Sequence, residues 1–196
     1  MSITQYLSNR GCNVIEGYSQ QVPQQVNDLI ALTAAPNIHV MEIGFNAGHS
    51  AEVFLENNDT LQLTSFDLGF HEYGRVGKEF IDQKYRNRHT LLLGDSTVSV
   101  PKYNYENPGR KFDVIFIDGG HEYPVANADL ENCMKLAHKN TIVIMDDTVH
   151  TPHLRSEWTV GPTTTWIEHV QNNKLKHLGN HDYSFGRGIS WGKYIL

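Results

Sequence analysis

Three aspartates and a histidine are the residues best suited to chemistry. Asp118 closes the apolar run "KFDVIFIDGG" (111–120), and Asp146 and Asp147 close "NTIVIMDD" (140–147). If these runs are neighbouring strands, the three carboxylates converge at one edge and repel one another unless protonated or bound to a cation. Oxygen ligands in that number suit Mg²⁺, with Mn²⁺ or Ca²⁺ as alternatives. We therefore expect Asp118, Asp146 and Asp147 to hold a divalent metal ion.

His121 follows Asp118 by three residues and is the candidate general base. A hydroxyl is a poor nucleophile until it loses its proton, which a metal ion and a nearby base can promote. Plainer interpretations stay open. In these, Asp118 and Asp147 cap turns or a helix, and His121 only neighbours a ligand or lies at the surface.

A glycine-containing loop follows the first predicted strand, in "HVMEIGFNAGHSAEVF" (39–54). Gly44 and Gly48 allow a tight turn and a close approach to a ligand. Asn46 stands where the dinucleotide pattern G-x-G-x-x-G has its second glycine. Glu42 just before the turn would repel a pyrophosphate but attract an ammonium group, and Asp67 could accept both hydroxyls of a ribose. S-adenosylmethionine, a cation without phosphate, fits these residues better than NAD.

The chain alternates predicted strands with helices. Strands are expected at 37–43, 61–68, 89–95, 111–120 and 140–147, and helices at 21–35, 48–57, 74–85, 125–138 and 162–173, with Pro162 in the first turn of the last one. The pattern also predicts a terminal hairpin formed by segments 174–179 and 186–196. This pattern predicts one α/β domain over 1–196: a Rossmann-like, seven-stranded, mostly parallel sheet with an antiparallel last strand and helices on both faces. Residues 1–36 would form a helical segment over the cofactor cleft.

Five motifs carry a family resemblance. They are "MEIGFNAGHSAEVFL", "LTSFDLG", "LLLGDS", "FDVIFIDGGHEY" and "NTIVIMDDT", and together they cover roughly residues 20 to 150. In this order they resemble class I S-adenosylmethionine-dependent methyltransferases. The Asp-Gly-x-His and Asp-Asp motifs are most similar to a group of small-molecule O-methyltransferases (methyltransferase domain 24, cephalosporin hydroxylase-like) that includes metal-dependent enzymes acting on sugar hydroxyls.

The resemblance implies an enzyme that uses S-adenosylmethionine and Mg²⁺. The metal ligands would again be Asp118, Asp146 and Asp147. The implied cofactor-binding residues are Glu42, Gly44, Phe45, Asn46, Ala47, Gly48, His49, Ser50, Asp67, Leu68, Asp95, Ser96 and Asp118. Tyr18, Gln20, His150, His153 and Trp158 are weaker candidates for contact with the cofactor or the acceptor.

The composition of the chain limits the classes of partner that it could bind. The net charge is −6 and the Lys and Arg residues form no run, which argues against nucleic acid and anionic lipid. No long apolar run predicts a membrane span and no signal peptide is visible. Cys12 and Cys133 are expected to be free thiols in the cytoplasm. A small-molecule acceptor and a possible homodimer are expected.

Three alternatives stay open. The chain could be an NAD-dependent oxidoreductase, which the missing second glycine disfavours. It could also be a methyltransferase-fold protein that binds a nucleoside without catalysis. Finally, the methyl group could go to nitrogen, carbon or a macromolecule rather than to the oxygen of a small molecule.

Overall fold

The computed structural model describes residues 1–13 and 16–196, and a seven-stranded sheet lies at its centre. The strands are β1 (His39–Ile43), β2 (Gln62–Asp67), β3 (His89–Leu93), β4 (Phe112–Ile117), β5 (Ala137–Asp146), β6 (Leu175–Ser184) and β7 (Arg187–Tyr194). Their order is β3-β2-β1-β4-β5-β7-β6. Only β7 runs antiparallel to its neighbours, β5 and β6. The predicted fold class is thus confirmed.

Helices cover both faces of the sheet. They are α1 (Ile3–Ser8), α2 (Pro23–Leu32), α3 (His49–Asn57), α4 (Glu72–Lys84), α5 (Ser96–Glu106), α6 (Tyr123–Met134) and α7 (Glu157–Gln171). Helices α1 to α4 share one apolar core with one face of the sheet, and α5 to α7 share a second core with the other face. Among the described residues, none of these helices is long and apolar enough to cross a membrane.

Successive residues along a strand contribute their side chains alternately to the two cores. In β1, Val40 belongs to the α1–α4 core, whereas its neighbour Met41 belongs to the α5–α7 core. Side chains of successive strand residues point to opposite faces, so a sheet covered on both sides needs apolar residues at every position. This explains the continuous apolar runs in β4 and β5.

Several predicted bounds need correction. Helix α1 falls within the segment 1–36 that was predicted to be helical, although its bounds were not predicted, and α5 was not predicted because it contains Pro101, which lacks an amide donor. Pro162 lies inside α7 rather than in its first turn. That helix begins five residues earlier than expected, where the Ser156 amide donates to Thr159 Oγ1 at 3.1 Å. Likewise α6 begins at Tyr123, with Pro124 in its first turn.

The loop after β1 lies directly against the end of β4. Gly44 has a φ of 94°, and a Cβ atom there would come within 1.9 Å of the Asp118 carbonyl oxygen. A residue with a side chain would be strained by its backbone conformation and would also collide with the neighbouring strand end. Glycine at this position therefore lets the β1 loop and the β4 loop share one edge.

We expect Gly44→Ala to lower the free energy of unfolding by clearly more than the cost of a positive φ, which is about 1–2 kcal/mol. The matched control is Gly109→Ala, because Gly109 has a φ of 85° but no atom within 4 Å of the added Cβ. Urea denaturation of both variants measures the difference. Equal losses in the two variants would contradict the proposed collision with Asp118.

Candidate functional site

A cavity of about 750 Å³ opens at the carboxyl ends of the parallel strands. Ligands of open α/β sheets bind at this edge. The predicted site residues in its wall are Gly44, Asn46, Asp67, Leu68, Asp95, Ser96, Asp118, His121, Asp146 and Asp147. Sequence reasoning missed other wall residues, among them Glu16, Gly17, Phe70, His71 and Arg187. The cavity thus brings the cofactor candidates and the acidic residues together.

Asn46 takes over the backbone role of the missing glycine. Its φ is 50°, in the left-handed region that asparagine tolerates better than most residues with a side chain. Its amide donates to Asp67 Oδ2 at 2.8 Å, and the other oxygen of Asp67 accepts from the Gly69 amide at 2.7 Å. Asn46 Oδ1 is buried without a hydrogen-bond partner among the described residues. Asp67 therefore joins the β1 loop to the β2 loop.

Part of the predicted cofactor loop lies behind the cavity wall. Glu42, Phe45, Ala47, His49 and Ser50 are all buried and do not line the cavity. Gly48 caps the start of α3 with a φ of 88°. The His49 ring stacks on Tyr18, with centroids 3.9 Å apart, and burial lowers the pKa of His49 to about 4. These residues hold the loop in place from behind.

Glu42 is fully buried between β1, β2 and α3. Its two carboxylate oxygens accept hydrogen bonds from Ser50 Oγ and Ser65 Oγ, each at 2.5 Å. The pairing of β1 with β2 places Ser65 beside Glu42, and α3 supplies Ser50. Burial raises the pKa of Glu42 to about 7, against the opposing effect of the two serine hydroxyls. This carboxylate supports the loop from the α3 side and is not exposed to the cavity.

The metal ligands predicted from the sequence are arranged differently in the structure. Asp118, His121 and Asp147 each offer an atom within 4.8 Å of the others. His121 Nε2 lies 2.9 Å from Asp147 Oδ2, and the hydrogen bond to Asp147 raises the pKa of His121. Burial raises the pKa of Asp118 well above its ordinary value, and the charges of Asp146 and Asp147 raise it further. Repulsion of this kind is what a bound cation relieves.

Asp146 lies beside this group, but its oxygens have other partners. Oδ2 accepts from Gln25 Nε2 at 2.7 Å, and Oδ1 accepts from the Asp147 amide at 2.8 Å. Gln25 in turn accepts from Arg187 Nη2 at 3.0 Å. Burial and the charge of Asp147 raise the pKa of Asp146 to about 7, against the opposing charge of Arg187. Gln25 and Arg187 therefore hold Asp146 from α2 and β7, and the sequence patterns gave no sign of either.

The wall of the cavity is strongly acidic. Its carboxylates are Glu16, Asp67, Asp95, Asp118, Glu122, Asp146 and Asp147. Arg187 is the one lysine or arginine among the described wall residues. Such a surface repels a pyrophosphate and favours a ligand that carries positive charge.

The weaker candidates lie at different distances from the cavity. Trp158 lines it and is 44% exposed, with its indole N–H donating to the Gly186 carbonyl at 3.0 Å. Gln20 borders a separate, more open cavity beside Glu52 and Lys84. His150 Nε2 lies 2.9 Å from Ser190 Oγ, outside the wall, and His153 is exposed. Trp158 is thus the only one of the five in the wall of the large cavity as described.

The fold and the cavity together define a class of protein, the Rossmann-like methyltransferases. Residues 41–148, more than half of the chain, match the family model described as a methyltransferase domain. The chain belongs to this methyltransferase-domain family, and it is an S-adenosylmethionine-dependent methyltransferase. No curated protein matches the sequence.

Solved structures share the fold at low sequence identity. The O-methyltransferase from Bacillus cereus in complex with SAH is 15% identical with a TM-score of 0.76, over 97% of this chain and 88% of that chain. TomG, an O-methyltransferase of tomaymycin synthesis from Streptomyces achromogenes in complex with SAM, is 14% identical with a TM-score of 0.74, over 98% and 87%. The SAH-bound methyltransferase PaMTH1 of Podospora anserina is 15% identical with a TM-score of 0.74, over 99% and 88%.

We expect Glu42→Gln to change how stability depends on pH. Burial raises the pKa of Glu42 from 4.5 to about 7, so its stabilising contribution is complete below pH 4.5 and is lost as the pH rises through 7. Relative to the glutamine variant, the wild type should lose on the order of 3 kcal/mol of unfolding free energy between pH 4.5 and pH 8. Urea denaturation at both pH values measures this.

The matched control is Glu56→Gln, because the hydrogen bond from Tyr85 lowers the pKa of Glu56. The stabilising contribution of Glu56 is therefore present above its ordinary pKa and is lost as the pH falls, the opposite trend. A gap between wild type and Glu42→Gln that does not change with pH would contradict the account of Glu42.

Proposed function

We propose that this enzyme transfers a methyl group from S-adenosylmethionine to a hydroxyl oxygen of a small molecule, assisted by a divalent cation. The observation that carries the proposal is the group Asp118, His121 and Asp147 in the wall of the large cavity. O-methyltransferases among the structural neighbours support the choice of oxygen as the acceptor atom.

The cavity residues fit S-adenosylmethionine, which supplies the methyl group when bound. Asp67 would accept the ribose hydroxyls, and Asp95 and Ser96 would border the adenine. Gly44, Asn46 and Leu68 complete this part of the wall, and Asn46 Oδ1 offers a buried acceptor without a partner among the described residues. Glu42, Phe45, Ala47, Gly48, His49 and Ser50 would act by shaping the loop, because they lie behind the wall.

The same cavity fits a divalent cation, for which Mg²⁺ is the proposal. Two carboxylates and an imidazole approach one another closely, and the pKa of Asp118 is raised partly by the neighbouring negative charges. When bound, a divalent cation lowers the pKa of a hydroxyl and fixes its position. Asp118, His121 and Asp147 would hold it, with Asp146 beside them.

A proton acceptor is still needed for the hydroxyl. One Nε2 atom cannot bind a cation and take a proton at once, so the base role expected for His121 becomes the alternative to its role as a ligand. Asp146 would then be the candidate base, because it lies beside Asp147 and its oxygens accept from Gln25 Nε2 and the Asp147 amide. Gln25 and Arg187 would keep its carboxylate in place.

The remaining expectations become part of this proposal. The cavity would accept a small molecule, and we propose neither a nucleic-acid nor a membrane partner; a homodimer is possible. Cys12 and Cys133 are free thiols, as expected, which favours the cytoplasm as the location. The chain would act as one domain over 1–196, with residues 1–36 beside the cleft, where Glu16 and Gly17 already line the cavity.

We expect Asp67→Asn to weaken the binding of S-adenosylhomocysteine by roughly 10- to 100-fold, because a hydrogen bond to a charged group contributes about 1.5–3 kcal/mol. Isothermal titration calorimetry measures the affinity. Asp59→Asn is the control, since Asp59 is exposed and lies outside the cavity wall. Undiminished affinity in Asp67→Asn would count against this placement of the ribose.

We expect Asp147→Asn and His121→Ala each to weaken Mn²⁺ binding at least tenfold, because the first replaces a charged carboxylate oxygen by a neutral amide oxygen and the second removes a ligand atom. Electron paramagnetic resonance of free Mn²⁺ measures the affinity. His153→Ala is the control, since His153 is an exposed histidine outside the group. Unchanged affinity in His121→Ala would return His121 to the base role, and unchanged affinity in both variants would remove the cation from the proposal.

A further inference from the structure

A short N-terminal arm, residues 16–21, contributes to the wall of the large cavity. Its first two residues, Glu16 and Gly17, line the cavity. Glu16 Oε1 lies 3.5 Å from Nε2 of His71, the residue just before α4, and a Cβ atom on Gly17 would lie 2.9 Å from Nη1 of Arg187, the first residue of β7. Both of these neighbours also line the cavity. The arm therefore joins two parts of the wall, and the shape of the wall depends on where the arm lies.

The contacts at the cavity contribute little to the position of the arm. The side chains of Glu16 and His71 are 70% and 46% exposed, and water screens an ion pair at that exposure. Gly17 has no side chain that could anchor it. The arm must therefore be held from its other end.

That other end is fixed to the first turn of α3. The Tyr18 ring stacks on the buried His49 ring, and Ser19 is buried. Gln20 Nε2 donates to Glu52 Oε2 at 3.0 Å and to the His49 carbonyl at 3.4 Å. Because α3 begins directly after the β1 loop, one helix carries both the end of the loop at the cavity and the anchor of the arm.

Glu52 is the charged group of this anchor. Its side chain is buried, and besides Gln20 it accepts from the Ile3 amide, at 3.2 and 3.3 Å to its two oxygens, and from Lys84 Nζ at 3.2 Å. Hydrogen bonds to a charged group are stronger than those between neutral groups, so this carboxylate holds its donors firmly. Ile3 precedes Glu16 in the chain and Gln20 follows it. One carboxylate thus holds the N-terminal segment on both sides of the residues that line the cavity.

We propose that Glu52 is a positioning residue for the cofactor, which fixes the N-terminal arm against α3 so that Glu16 and Gly17 complete the wall around S-adenosylmethionine. The inference rests on the proposed binding of this cofactor in the large cavity. Glu52 does not line that cavity, so it acts through Gln20 and the arm. A segment that completes the wall behind a bound ligand mainly delays its release, so Glu52 acts chiefly on the dissociation rate.

The test compares the binding of S-adenosylhomocysteine to the wild type and to Glu52→Met. Methionine has nearly the length of glutamate and favours a helix, but it is only a weak hydrogen-bond acceptor. We expect the dissociation constant from titration calorimetry to rise roughly tenfold or more. Stopped-flow measurements should assign most of this change to faster dissociation.

Two further variants separate the arm from the other partners of Glu52. Gln20→Met removes only the contact with the arm, so it should weaken binding roughly fivefold or more while the urea midpoint stays close to that of the wild type. The double variant should bind at most about twofold more weakly than Glu52→Met, because both substitutions break the same contact. Glu56→Met is the matched control, since Glu56 also lies on α3 and binds Lys84 but makes no hydrogen bond to Ile3 or Gln20 among the described residues. Its affinity should stay within about twofold of the wild type.

Hydrogen exchange supplies a measurement that a purely structural role of Glu52 would not change. In the wild type, saturating S-adenosylhomocysteine should slow the exchange of the amides of residues 16–21, because the arm is held against the ligand. In Glu52→Met this protection should be largely lost, whereas the exchange of the β4 amides in the presence of the ligand should stay as in the wild type.

Several results would overturn the inference. They are wild-type affinity in Glu52→Met or in Gln20→Met, equal weakening in Glu52→Met and Glu56→Met, and full protection of the arm in Glu52→Met. Each of these, in a wild type that binds S-adenosylhomocysteine, would leave the proposed function intact. A wild type that does not bind S-adenosylhomocysteine would refute the proposed function, and this inference with it.

Discussion

The mutual repulsion of carboxylates at the ends of β4 and β5 is the constraint on which the site depends. Ile117 pairs with Met145 in the sheet, so the next residues, Asp118 and Asp146, come side by side. Asp146 is buried and Asp118 is half-buried, and desolvation together with the charges of Asp146 and Asp147 raises the pKa of Asp118. The surrounding contacts hold these charges: His121 bonds to Asp147, and the amide of Gln25 links Asp146 to Arg187. A divalent cation would complete this arrangement.

Buried polar residues support the cavity wall from behind without lining the cavity themselves. Glu42 accepts hydrogen bonds from Ser50 and Ser65 behind the β1 loop, and the Asp129 carboxylate lies behind Gly119. Buried carboxylates of this kind lower stability unless their hydrogen-bonding partners compensate. Their presence on both sides of the cavity suggests that the shape and polarity of its wall are maintained at a cost in stability, as is common at functional sites.

The sequence predicted the strands and their carboxyl ends well, because apolar runs of this length are needed in a sheet covered on both faces. It therefore located Asp67, Asp118, Asp146 and Asp147 correctly at strand ends. It could not predict that Glu42 faces α3. Both faces of β1 are buried, so only the strand register decides the face to which each side chain points. Gln25 and Arg187 come from distant parts of the chain: α2 brings Gln25 to Asp146, and Arg187 reaches Gln25 because β7 pairs with β5.

The most direct test of the account is a calorimetric titration of the wild-type protein with S-adenosylhomocysteine and with NADH, each with and without Mg²⁺. An acidic wall with a single arginine and no second loop glycine predicts binding of S-adenosylhomocysteine and none of NADH. Binding of NADH alone would contradict the account, because a pyrophosphate would then occupy a cavity whose carboxylates should repel it.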